Sequence, residues 1–90
     1  MRNVKSHIPN SLRKYRDIIG FSQKDVAEML GFKSAIRISL WENGYKKPSI
    51  ENLMKLSFLY STLPAQLYPD LWQDIIKELK EVKMKMLEKK

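Results

Sequence analysis

The sequence predicts an all-α protein: a compact bundle of about five helices followed by a C-terminal amphipathic helix. Three observations predict it. Apolar residues recur at helical spacing along the chain, and no stretch sustains the alternation of a half-buried strand. The punctuating residues Gly20, Gly31, Gly44, Pro48, Pro64 and Pro69 all fall where one helix would stop or the next begin. With 90 residues and no cysteine, the chain suits one domain with a modest core, without disulfides or thiolate metal sites.

Taken in order, residues 1–9 read as a flexible N-terminal arm carrying Arg2 and Lys5. A domain over 10–68 follows. Its first helix is expected from Ser11 to just before Gly20, with Leu12, Tyr15 and Ile19 on the inner face. The second starts at Ser22, where Ser22 and Asp25 have the spacing of a capping box. It turns Val26, Ala27 and Leu30 inward and stops at Gly31. The third is expected over Ser34 to Asn43, ended by Gly44. The fourth begins after Pro48 with Ser49 as its cap and buries Leu53, Leu56 and Tyr60. A short fifth follows Leu63-Pro64. Residues 69–90 form the C-terminal amphipathic helix, with Trp72, Ile75, Ile76, Leu79, Val82 and Met86 along one stripe and lysines and acids on the wet side.

Seventeen basic residues against ten acidic ones give a net charge of +7. Such a balance favours a polyanionic partner. The excess is +4 over residues 1–33, +2 over 34–62 and +1 over 63–90. A membrane-surface protein would carry its excess on the amphipathic tail, so nucleic acid is the better match. No run is long and apolar enough to span a bilayer, and residues 1–9 lack the apolar core of a secretory signal. The cysteine-free composition suits the reducing cytoplasm, which is the expected location.

Enzymatic readings find little support. His7 stands alone, with no second ligand near it, and the acids are scattered along helix surfaces without the pairing that acid–base chemistry needs. Each glycine sits at a helix end, so no loop cradles phosphate. No catalytic activity, cofactor or metal is expected.

The informative stretch is Gln23 to Gly44, QKDVAEMLGFKSAIRISLWENG. Two helices crossing steeply over a short turn require a small residue at the crossing, a residue tolerant of positive φ in the turn, and two apolar anchors beneath the second helix. Ala27, Gly31, and Ile38 with Trp41 meet these needs, and Val26, Leu30 and Phe32 fill the angle. In its motifs Leu12-Arg13, Ser22-Gln23, Ala27, Leu30-Gly31, Trp41-Glu42-Asn43-Gly44 and Pro48-Ser49, the chain resembles the phage repressor and Cro-type (XRE-like) helix-turn-helix family over about Leu12 to Leu67. The turn departs from the family: Gly31 to Ile38 spans seven steps instead of the usual six, with Phe32-Lys33 inside it.

The resemblance implies sequence-specific binding of double-stranded DNA, with the third helix in the major groove. Counted back from Trp41, the base-reading positions fall on Ala35, Ile36 and Leu40, apolar side chains suited to thymine methyl groups. The alternative for Ile36 and Leu40 is burial against the protein or a partner. Arg37 is able to contact guanine or to hold a phosphate. Gln23 matches the family position that meets the backbone. Lys33 and Ser34 before the helix, and Asn43, Tyr45, Lys46 and Lys47 after it, are the remaining candidates, with a solvated loop as the alternative for the two lysines. Arg16, at the edge of the first helix's apolar face, needs a partner, and the resemblance implies an ion pair with Glu42.

These features lead to the expectation of a transcriptional regulator, a repressor, acting as a homodimer because one small module contacts little DNA. The tail is the candidate dimer element, with packing back onto the domain as the alternative. Another possibility is an antitoxin-like or adaptor component whose tail binds a partner protein.

Overall fold

The computed structural model describes residues 7–90. Arg2 and Lys5 lie outside them. The described chain is all-helical: α1 (Leu12–Ile19), α2 (Gln23–Met29), α3 (Ile36–Glu42), α4 (Ile50–Leu59), α5 (Pro64–Leu67) and α6 (Pro69–Glu88).

Local chemistry sets most of these boundaries. The Asn10 side chain starts α1 by accepting from the Leu12 N–H (3.0 Å). At α2 the Ser22 hydroxyl accepts from the Asp25 N–H, and the Asp25 carboxylate accepts from the Ser22 N–H, both at 2.9 Å. These two bonds satisfy donors that a helix start otherwise leaves open. Gly31 ends α2 at φ +81°. There the Gly31 N–H donates to the Glu28 carbonyl (3.0 Å) and the Phe32 N–H to the Ala27 carbonyl (2.8 Å), the paired bonds of a Schellman motif. Ser49 caps α4 through the Asn52 N–H (3.1 Å).

The core joins Leu12 of α1, Val26 and Ala27 of α2, Ile38 and Trp41 of α3, Leu56 of α4, and Tyr60, Leu67 and Tyr68. Burial pushes the Tyr68 phenol up to about 12 and raises that of Tyr60 as well.

The structure corrects three expectations. The arm is not free at its last residues. The Ile8 N–H donates to the Gly44 carbonyl (2.8 Å), the Asn10 amide donates to the Trp41 carbonyl (3.1 Å), and Ile8 packs on the core. Second, Ile19 is exposed. Arg16, one turn earlier, is buried in its place because it has a charged partner. Third, α3 begins at Ile36, not Ser34, with Ala35 at its N-cap. The additional turn residue uses up the chain that would have formed the first helical turn.

The tail leaves the domain after its first turns. No residue of α6 is buried; its first turns pack on α5 and lie beside Ile8 and Pro9, with Ile76 half-buried. The radius of gyration is 16.0 Å, against about 12 Å for a compact chain of this length.

Candidate nucleic-acid interface

The position of α3 is fixed from beneath. Ile38 and Trp41 are buried, and Glu42 sets the helix against α1 and α2. The Glu42 side chain is only 2% exposed. Its carboxylate accepts from the Arg16 Nε at 2.6 Å and Nη2 at 3.1 Å, and from the Gln23 Nε2 at 2.9 Å. Arg13 adds a second cation at 3.7 Å from the exposed side. The Arg16 Nη1 donates to the Phe21 carbonyl (2.9 Å). The bonds to Glu42 hold the Arg16 proton more tightly than usual, against the opposing effect of burial. One acid thus links the three helices that fix the angle of α3. A paired and fully hydrogen-bonded charge of this kind tolerates burial; an unpaired one does not.

The outer flank of α3 is uncovered. Ile36 is 65% exposed, Arg37 is exposed and Leu40 half-buried. Ala35 is half-buried and packs on the core, so of the three apolar reading positions Ile36 projects most freely. Lys33 and Ser34 are exposed in the turn. Beyond α3, the Tyr45 and Lys46 N–H groups both donate to the Leu40 carbonyl (3.0 and 3.4 Å). That fold-back keeps Tyr45, Lys46 and Lys47, all exposed, at the end of the helix. Asn43 is exposed too, with its amide donating to the Ser39 carbonyl (2.9 Å) and hydroxyl (3.2 Å).

Two side chains have contacts that the sequence does not announce. Gln23, the candidate phosphate contact, donates its amide to Glu42. Ser34 was expected to cap α3, yet its hydroxyl accepts only a long bond, 3.4 Å, from the Ile36 N–H. Its distance from the helix follows from the longer turn.

Sequence reasoning also missed the contact that Phe32 makes with Arg37, and it missed Lys24. Phe32 lies under Arg37, whose guanidinium carbon is 4.5 Å from the ring centroid. The same ring meets Trp41 edge-on at 5.9 Å. Phe32 therefore connects an exposed cation to a buried anchor. Lys24 lines a groove together with Ala27, Glu28, Phe32, Lys33, Ser34 and Ala35, which adds a cation beside the turn with an acid next to it. The signal available for Phe32 was the additional turn residue; for Lys24 there was none beyond its charge.

A helix crossing another over a glycine turn, anchored below and bare above, defines a helix-turn-helix protein. The helix-turn-helix family model matches residues 12–58, and the chain belongs to that XRE-like family, a family of DNA-binding regulators. No curated protein and no solved structure matches the chain. No helix among the described residues is long and apolar enough to cross a membrane. No group of acids and histidines able to hold a metal occurs among the described residues.

Proposed function

We propose that this protein is a cytoplasmic, non-enzymatic transcriptional repressor that binds a palindromic operator as a homodimer. The observation that carries this reading is the bare outer flank of α3, with Ile36 and Arg37 flanked by Lys33, Lys46 and Lys47. Ile36 and Leu40 read thymine methyl groups, Arg37 meets guanine or a phosphate, and the lysines neutralise phosphates. Tyr45 and Asn43 position the backbone after the helix, and Ser34 before it. Gln23 reaches a phosphate only by giving up or sharing its bond to Glu42. Repression follows from occupying a promoter.

Gel retardation on a palindrome from the gene's own promoter tests the reading. Affinity should fall steeply with salt. Lys46→Ala should weaken binding on all sequences and lower the salt slope by about 1, and Arg37→Ala should cost about 1–3 kcal/mol on the cognate site if it reads a base. Equal losses for both variants on cognate and random DNA would remove Arg37 from base reading.

The uncovered stripe of α6 favours a second reading, in which the tail binds a partner protein while the module regulates its own operon. Co-purification of a stoichiometric second chain would favour it.

A further inference from the structure

Away from the DNA-facing flank, two apolar surfaces stand without cover. One is a groove of about 490 Å³ between α2 and α4, lined by Met29, Leu30, Met54, Phe58 and Leu59. Its rim charges, Glu51 and Lys55, pair with each other at 3.4 Å and so select no partner. The other is the stripe of α6, whose charges are informative.

In α6, Trp72, Ile75, Leu79, Val82 and Met86 follow at steps of 3, 4, 3 and 4, the spacing of a coiled-coil seam. From Leu79 onward each is more than half exposed. A helix that leaves its apolar face in water is marginal alone. The charges give the direction of whatever covers it. Residues 69–79 hold Lys77 against Asp70, Asp74 and Glu78, net −2. Residues 80–90 hold five lysines against Glu81 and Glu88, net +3. A second α6 laid parallel would set like halves together. Laid antiparallel, it sets each acidic half beside a basic one and opposes the helix dipoles.

We propose that α6 pairs with α6 of a second copy in an antiparallel seam centred between Leu79 and Val82. This rests on the homodimer reading and supplies its geometry. In that register Leu79 packs on the partner's Val82 and Ile75 on the partner's Met86. Glu78 flanks the partner's Lys85, and Trp72 faces the partner's Lys89. Parallel pairing would set Glu78 beside the partner's Lys83 but Lys85 beside the partner's Lys90. A helix of 20 residues spans about 30 Å. Antiparallel pairing therefore places two reading modules at opposite ends of a rod comparable to one turn of DNA, about 34 Å.

Sedimentation of the full chain without DNA, over a concentration series, reads association separately from operator binding. The parent chain is expected to pass reversibly from monomer to dimer. Leu79→Glu is expected to stay monomeric while the bundle keeps its thermal unfolding transition. Lys85→Glu distinguishes the directions. In the antiparallel seam it meets Glu78 and dimerises about ten-fold more weakly; in a parallel seam it would meet a lysine and dimerise more tightly. Combining Glu78→Lys with Lys85→Glu should restore parental dimerisation. A parent chain monomeric throughout overturns the proposal. So does a Leu79→Glu dimer, which would place the contact outside the α6 seam, and so does tighter association of Lys85→Glu. A monomer that still retards its operator leaves the DNA reading standing; a dimer that ignores DNA does the reverse.

Discussion

Replacing Arg16 by methionine tests how the reading helix is held. The substitution removes two of the three hydrogen bonds that the Glu42 carboxylate accepts and leaves only the Gln23 amide, 2.9 Å away. A charge 2% exposed is then stranded, which typically costs about 3–5 kcal/mol. Arg13 starts 3.7 Å away with two-thirds of its side chain in solvent, and it can swing in as a substitute. The expected loss is therefore at the lower end, about 3 kcal/mol. For a domain of this size that lowers Tm by about 12–24 °C. Removing both charges, as in Arg16→Met with Glu42→Leu, removes the desolvation penalty as well. The double variant should return to within about 1 kcal/mol of the parent. Urea unfolding followed by far-ultraviolet circular dichroism measures all three differences. A single variant within about 1 kcal/mol of the parent, or a double variant no better than the single, would refute the reasoning.

The remaining predictions concern the glycines, the reading face and pH. A Cβ on residue 44 would lie 2.6 and 2.7 Å from the Ile8 backbone nitrogen and oxygen, whereas one on residue 31 meets nothing within 4 Å. Both sites have positive φ, which costs an L-residue about 1–2 kcal/mol; in thermal unfolding Gly44→Ala should lose clearly more than Gly31→Ala. Phe32→Leu should weaken cognate binding when Arg37 is present and much less when Arg37 is alanine. Additive losses in that double-mutant cycle would mean the ring does not position the guanidinium. The backbone bond and then the side-chain bond from Ser22 hold the Asp25 carboxylate below its ordinary 3.8. A depressed folded pKa means the contribution is complete above the unfolded value and is lost as pH falls through the folded one. Acid titration of unfolding should show this loss below about pH 4, and Asp25→Asn should remove that part of the curve. For Tyr68 the sign reverses. Its folded value of about 12 exceeds the ordinary 10.0, so stability is complete below 10 and declines above it. In alkaline unfolding followed by circular dichroism, Tyr68→Phe should remove that part of the decline.

Much of the fold was legible because short-range chemistry dictates it. The Ser22–Asp25 spacing, Gly31 and the Pro48-Ser49 start each specify a local geometry that tertiary packing had no reason to override. Arg16 and Glu42 were legible as a pair through the family motif, since periodicity alone placed Ile19, and not the charge, on the inner face. The start of α3 was misplaced because one additional turn residue is visible as a count, while its conformational consequence is not. The bond from Gln23 to Glu42 was hidden for a different reason. The Gln23 amide has two possible acceptors, a phosphate or Glu42, and the sequence does not reveal that Glu42 comes within 2.9 Å. The anchoring of Ile8 to Gly44 is a backbone contact across 36 positions and leaves no side-chain pattern to read.

Selection of bound fragments from random duplex DNA tests the central claim most directly. Enrichment of an inverted repeat, with half-site centres about one helical turn apart and an affinity that falls linearly in log salt, is the expected result. Recovery of no common sequence, or binding indifferent to salt, would contradict the assignment of the exposed flank of α3 to the major groove.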